Sequence, residues 1–296
     1  HALSLTTTGV NTSRLNRLEH FVSDFPTEGI HMSGEALHSQ LDEIERIHGL
    51  YSPAALGLAS ALACGAFTFL LGGGPLEMIL AFAGAGIGNA IRCKLGKHHF
   101  TLFMCIAVSV SSACLVYAGF LKLAELLFHI SVQHEAGYIC SMLFIIPGFP
   151  FITSGIDLAK LDLRSGLERL TYSVIIVLVA TMFAWIMALL LKLQPQDFVA
   201  LHLGSMMHLV LRLIASFCGV FGFSIMFNSP VYIAATAACI GTVANTLRLE
   251  LVDYTGMPSA AAAFIGALTA GLLASTIKRN HGYPRISLTV PSIVIM

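Results

Sequence analysis

Apolar residues in this chain form a series of long stretches at near-regular spacing, separated by short polar or proline- and glycine-rich breaks. We place these stretches at 53–71, 75–92, 100–120, 137–157, 170–191, 209–227, 231–247, 259–277 and from 287 onwards. A helix needs about 20 residues to cross a bilayer core about 30 Å thick, and each complete stretch is near that length. The pattern therefore predicts an all-α fold, a polytopic bundle of transmembrane helices.

Residues 1–50 differ in kind, because they are polar and contain no long apolar stretch. Ser33 is a good N-cap for a short helix over residues 35–44, whose apolar positions form one narrow stripe. We interpret 1–50 as the end of a cytoplasmic amino-terminal domain, 51–193 as a first transmembrane unit and 194–296 as a second. Since the chain begins at His1 and ends in an apolar run, we expect further residues at both ends.

Composition supports a membrane location. Hydrophobic residues make up 56% of the chain and charged residues only 11%, with a mean hydropathy of +0.81. Soluble proteins carry about a quarter charged residues, because water must wet their surface. The net charge of zero argues against a nucleic-acid partner. The 7 cysteines are scattered through apolar runs without metal-ligand spacing, so we predict neither a metal site nor a cofactor.

Lys and Arg are distributed unevenly between the two sides of the predicted membrane. If the amino terminus is cytoplasmic, twelve of the 16 basic residues fall on the inner side. The outer side holds Lys122, Lys192, Arg212 and Arg248. This bias matches the positive-inside rule. We therefore predict a multi-pass protein of the inner membrane, with loops near Arg164 inside and near Gln133 and Gln196 outside.

The chain also contains an internal repeat. Residues 56–92 and 213–248 each comprise a span rich in small residues, a turn closed by proline, and a second span ending in Asn-x-(Ile/Leu)-Arg. The matching landmarks are Pro75 and Pro230, Asn89 and Asn245, Arg92 and Arg248, and, further along, Pro147 and Pro291. Five spans separate equivalent positions, so two repeats of about five helices must cross the membrane in opposite senses. Inverted repeats of this kind are typical of secondary transporters.

The strongest local motif is Pro147-Gly148-Phe149-Pro150, which lies in the middle of the fourth span. Two prolines and a glycine cannot continue a straight helix, and broken backbone at membrane depth needs protein packing or a wet cavity around it. A plain proline kink is one interpretation, and a discontinuous helix at a substrate site is the other. Thr153, Ser154 and Asp157 follow on one helical face. Asp157 is either a solvated helix end or a coupling group.

Enzyme motifs are missing where the sequence comes closest to them. His134-Glu135 has Tyr138 where an intramembrane metalloprotease would need a second histidine. Ser154-Gly155 has Ile152 where a serine-protease elbow would need glycine. We find no phosphate-binding loop either, so we predict no catalytic residues and a transport process driven by an ion or substrate gradient.

The segment from Pro147 to Leu170 resembles the bacterial threonine/serine exporter family. The shared pattern is a Pro-Gly break followed by Asp-Leu, Gly and Arg, here Pro147, Gly148, Asp157, Leu158, Gly166 and Arg169. Residues 9–15 and 41–44 look like that family's amino-terminal region. Two departures stand out, since members often carry a polar residue at position 152 or 153, and the ninth span has Pro291-Ser292 instead of Pro-Gly.

The resemblance implies a secondary transporter that exports small polar metabolites with the proton-motive force. Threonine and serine are favoured, and a succinate-type dicarboxylate is the alternative; a non-transporting membrane scaffold is a third reading. The partners would be a small-molecule substrate, protons and the lipid bilayer, and a homo-oligomer is compatible with the sequence. The expected substrate or coupling residues are Pro147, Gly148, Pro150, Thr153, Ser154, Asp157, Asn89, Arg92, Asn245, Arg248 and Pro291.

A zwitterionic substrate fits the broken helix as follows. The break exposes backbone carbonyls on one side and helix N-terminal amides on the other, which offers both signs of charge. We expect Thr153 and Ser154 to pair with the substrate hydroxyl and Asp157 with its ammonium group. A dicarboxylate needs two cations, whereas Arg92 and Arg248 lie on opposite faces in this topology. The sequence therefore favours the amino acid.

Overall fold

The computed structural model describes residues 10–47, 49–129, 134–193, 198, 201 and 203–296. Before the apolar stretches come helix α1 (Thr12–Asp24), a 3₁₀ turn (Gly29–His31) and helix α2 (Gly34–Glu45). Ser33 caps α2 as expected, its side chain accepting a hydrogen bond from the Ala36 amide. Helix α1 was not predicted from the sequence.

Each predicted apolar stretch forms a helix in the described part of the chain. The elements are α3 (Pro53–Leu70), α4 (Pro75–Lys97), α5 (Leu102–Phe128), 3₁₀ segments Glu135–Tyr138 and Cys140–Ile145, α6 (Gly148–Ala159), α7 (Leu163–Leu191), α8 (Ser205–Met226), α9 (Val231–Thr255), α10 (Ser259–His281) and α11 (Arg285–Val294). Six of the described helices are long and apolar enough to cross a bilayer, and the bent pair 136–145 and 148–159 raises this number to 7. The all-α membrane bundle is therefore confirmed.

Helix α9 is long but falls outside that apolar set, and its position in the bundle explains why. It packs against α8, α10 and α11. Its small residues Ala234, Ala237, Ala238 and Ala244 are completely buried. The face of α9 that these neighbours cover meets no lipid, so it can be built from small residues rather than from large apolar ones.

The helices pack in two groups with the same internal pattern. In the first, α4 packs against α3, α5 and the 3₁₀ segment Cys140–Ile145; in the second, α9 packs against α8, α10 and α11. The equivalent helices α3 and α8 also pack on each other. The packing thus follows the repeat that was predicted from residues 56–92 and 213–248.

Helices α3 and α8 run in opposite directions where they meet. Gly222, near the end of α8, lies against Ala59 and Ala63 in the first half of α3. At the other end, the rings of Phe69 and His208 are 6.0 Å apart. A Cβ atom at Gly222 would lie 2.5 Å from the Ala59 carbonyl oxygen, so glycine is required for this close approach. Equivalent helices of opposite direction are what an inverted repeat produces.

The amino-terminal segment is attached to the turn between α8 and α9. The Thr12 amide donates to the Phe227 carbonyl at 3.1 Å, and the Ser13 amide donates to the Asn228 carbonyl at 3.2 Å. The hydroxyls of Thr12 and Ser229 share a hydrogen bond of 2.7 Å. Since these bonds use the start of α1, this helix begins directly on the membrane bundle.

Candidate functional site

The fourth span is broken where the sequence predicts a break. The 3₁₀ segment Cys140–Ile145 ends at Ile146, α6 begins at Gly148, and the two parts are bent by 61°. Pro147 and Pro150 have no amide hydrogen, so neither can donate to the preceding turn. The change of direction leaves Ile146 exposed and Pro147 buried. The break in the fourth span is therefore confirmed, and whether it forms part of a substrate site stays a prediction.

The start of α6 offers fewer free amides than a regular helix does. The Gly148 amide donates to the Ile146 carbonyl at 2.8 Å, and Pro150 has no amide hydrogen to offer. Among the first three residues of α6, this leaves the Phe149 amide without a backbone acceptor. The first turn of a helix usually presents several such donors to an anion. The expected amide cluster is thus reduced, and a carboxylate needs a side-chain cation as well.

The two helix groups meet at this break. The Val294 side chain of α11 packs so closely on Gly148 that a Cβ atom there would lie 2.6 Å from it. The ring of Phe149 lies edge-on to that of Phe227 at the end of α8, with centroids 5.3 Å apart. Pro291 is buried in α11, about one turn before Val294. The break therefore lies between the two groups, as it does in transporters with inverted repeats.

A cavity of about 490 Å³ opens beside the break. It is formed by the end of α4, the start of α5, the broken span, α7 and the end of α8. Arg92, Pro147, Pro150 and Tyr172 contribute to its wall, and most other lining residues are apolar. The volume lies within the range of small-ligand sites, which are mostly apolar with a few polar groups.

Arg92 is the notable polar group of this cavity. Its guanidinium lies 5.7 Å from the centre of the Phe144 ring. Among the described residues, no carboxylate lies within ion-pair distance of it. Asn89, one turn earlier on α4, donates to the Leu56 carbonyl at 2.9 Å and so fixes α4 against α3. An arginine without a carboxylate partner, beside a helix break, is suited to bind an anionic group.

In the second helix group, Asn245 and Arg248 make contacts similar to those of Asn89 and Arg92. Asn245 donates to the Ser216 hydroxyl at 2.9 Å, which ties α9 to α8. Arg248 donates to the Ile295 carbonyl at 3.5 Å and also to the Met296 carbonyl. Arg248 thus approaches the end of α11, as Arg92 approaches the end of the 3₁₀ segment. It does not line the cavity described above.

Three predicted residues of α6 lie away from the cavity wall. The Thr153 hydroxyl donates to the Phe149 carbonyl at 3.0 Å, and the Ser154 hydroxyl donates to the Phe151 carbonyl at 2.7 Å. Asp157 accepts from Arg169 at 2.8 Å, an ion pair that joins α6 to α7. Of the expected site residues, Arg92, Pro147 and Pro150 line the cavity together.

Sequence reasoning did not identify the aromatic part of the cavity. Phe144 comes from the 3₁₀ segment, Tyr172 from α7 and Phe227 from the turn after α8. Each stands in an apolar run that looks like ordinary membrane-spanning sequence. Only the packing of the elements shows that these three rings share a wall with Arg92.

Comparison with protein families covers nearly the whole chain. Residues 2–192 match a family of threonine/serine exporters, and residues 212–296 match the family described as "Threonine/Serine exporter, ThrE". Neither curated proteins nor solved structures give a match. These families are exporters, which agrees with the membrane-spanning helices and with the absence of enzyme motifs. This chain is a multi-pass membrane transporter and belongs to the threonine/serine exporter family.

Proposed function

We propose that this protein exports threonine and serine from the cytoplasm across the inner membrane, driven by the proton-motive force. The observation that supports this most directly is Arg92 in the wall of the cavity beside the helix break. An α-carboxylate that enters the cavity would meet a guanidinium without a competing carboxylate among the described residues.

The ammonium and hydroxyl groups of the substrate have candidate partners in the cavity wall. These differ from Thr153, Ser154 and Asp157, which were expected from the sequence. The aromatic rings of Phe144 and Phe227 and the carbonyls at the break suit an ammonium group. The phenol of Tyr172 suits a hydroxyl group. Asp157 already pairs with Arg169. We therefore propose that Asp157 holds α6 against α7 and does not bind the ammonium group of the substrate.

A succinate-type dicarboxylate is the weaker alternative. Its second carboxylate would need a second cation in the same cavity, and Arg92 is the one lysine or arginine among the described lining residues. Arg248 binds carbonyls at the end of α11 instead. A non-transporting scaffold is weaker still, because it would need neither a broken span nor a cavity beside it.

The direction of transport depends on the orientation in the membrane. Twelve of the 16 basic residues lie on the side of the amino terminus, which supports a cytoplasmic amino terminus. In that orientation the cavity, formed by the end of α4 and the start of α5, opens nearer to the cytoplasm. This is the side from which an exporter loads its substrate.

The proposal is tested by threonine release from cells that lack other exporters. Such cells, fed a threonine-containing dipeptide, should release threonine faster when the full-length protein is expressed. Succinate release should not change. If expression raises succinate release and leaves threonine release unchanged, the dicarboxylate alternative replaces the proposal.

A further inference from the structure

Glu77 is a buried carboxylate in the membrane part of the chain. It lies in the first turn of α4, at the end of this helix that the predicted topology places on the outer side. Its side chain is only 2% exposed. A buried carboxylate in a transmembrane helix is costly, so such groups are usually paired and functional.

The partner of Glu77 is His134, which directly precedes the 3₁₀ segment Glu135–Tyr138. Its Nδ1 atom lies 2.6 Å from Glu77 Oε1, and its side chain is 20% exposed. The Tyr117 hydroxyl of α5 donates to the His134 carbonyl at 2.6 Å and fixes the position of this residue. The other carboxylate oxygen, Oε2, is buried and has no hydrogen-bond partner among the described residues. The Oε2 atom of Glu77 can therefore carry one more proton without losing an existing hydrogen bond.

Few other titratable groups of the described residues face this pair. Tyr117 of α5 and Cys140 of the 3₁₀ segment are close enough to interact electrostatically with Glu77. From α3 comes the Thr68 hydroxyl, which already donates to the Cys64 carbonyl at 2.7 Å. Within the described residues, no lysine or arginine lies within ion-pair distance of Glu77. Among the described side chains, the charge at this site is thus carried by Glu77 and His134.

We infer that Glu77 and His134 form the proton-binding site through which the external proton drives export; this inference rests on the proposed function. One proton from external water binds to the pair, which changes from a single negative charge to neutrality, and no other bond is made or broken. The partly exposed His134 ring gives the proton its path to the pair. Carboxylate and imidazole side chains in contact within a membrane are the groups from which proton relays in transporters are built.

The pair also links the two elements that form the cavity beside the break. Glu77 lies on α4, which carries Asn89 and Arg92 towards its other end. His134 begins the segment that leads through Phe144 to the break at Pro147. A proton bound at the outer end therefore changes the attraction between α4 and the broken span, which are the elements that would hold the substrate. This supplies a physical connection between proton binding and substrate release.

The first experiment measures proton uptake without any substrate. Purified protein in detergent is acidified from pH 8 to pH 5 in a weak buffer with an indicator dye. The wild type should take up about one proton per chain more than the double variant Glu77→Gln/His134→Gln, because the variant lacks both groups that share the proton. Equal uptake would overturn the proton site. Glu125→Gln, a carboxylate variant on α5, is the matched control and should match the wild type.

The second experiment separates coupling from substrate binding in proteoliposomes. Glu77→Gln should retain exchange of labelled threonine at equal pH, which also shows that it is folded, and should lose the acceleration caused by an imposed pH gradient. If Glu77→Gln does not fold, His134→Gln takes its place, since that side chain is partly exposed. A full response to the gradient in the variant would overturn the inference. Wild-type protein that takes up the extra proton but moves no threonine would contradict the proposed function and support the proton site.

Discussion

A methyl group added at Gly148 tests whether the two helix groups meet tightly at the break. The Cβ atom of Gly148→Ala would lie 2.6 and 2.9 Å from the two methyl groups of Val294. Valine in a helix has one strongly preferred rotamer, so Val294 cannot simply turn away. Overpacking of this kind costs about 1–3 kcal/mol. At about 2–4 °C per kcal/mol, the melting temperature should fall by roughly 2–12 °C.

A second substitution should relieve this clash. Val294→Ala removes both methyl groups, and the nearest remaining atom, Cβ of residue 294, lies 3.3 Å from the added carbon. The double variant Gly148→Ala/Val294→Ala should therefore be more stable than the sum of the two single changes predicts. Gly155→Ala on the same helix is the control. Nothing lies within 4 Å of its added Cβ, and we expect it to be neutral or stabilising by up to about 1 kcal/mol.

The assay is thermal unfolding of the purified variants in detergent, together with threonine exchange in proteoliposomes. The reasoning is refuted if Gly148→Ala melts with the wild type. It is also refuted if Val294→Ala gives the double variant no relief, because the clash would then lie elsewhere.

Two further predictions concern coupling and topology. Asp157→Asn should leave the protein inserted and folded, because its partly exposed ion pair with Arg169 is worth at most about 1 kcal/mol. The substitution should impair threonine efflux driven by a pH gradient. Unchanged efflux would mean that Asp157 is only a solvated residue at the end of α6. A single cysteine at Arg164, in a cysteine-free background, should resist an impermeant maleimide added to intact cells, whereas one at Gln133, which lies outside the described residues, should react. Labelling at position 164 from outside would contradict the inverted topology.

The helices could be predicted from the sequence because a membrane demands them. Apolar runs near 20 residues long have one stable form in lipid, since every backbone group must be paired internally. The break was predictable for the same reason, because Pro147 and Pro150 each remove a backbone donor. The repeat was visible through Asn89 and Asn245, which the structure shows fixing one helix of each group to its neighbour.

The candidate site was predicted only in part. Thr153 and Ser154 were chosen because they share a helical face, but a hydroxyl in a helix readily donates to the carbonyl one turn before it, and both do so here. The partners of Arg92 come from distant segments, and no spacing in the sequence brings Phe144, Tyr172 and Phe227 to one wall. The contact between Glu77 and His134, 57 positions apart, was hidden for the same reason.

The central claim is that Arg92 holds the carboxylate of the substrate in the cavity beside the break. It is tested most directly by equilibrium binding of labelled threonine to the purified full-length protein. A charge-assisted hydrogen bond contributes about 1.5–3 kcal/mol, so Arg92→Gln should raise the Kd roughly 10- to 150-fold. Lys94→Gln, two residues further on and exposed, should bind like the wild type. An Arg92→Gln variant that binds threonine as tightly as the wild type would contradict the account.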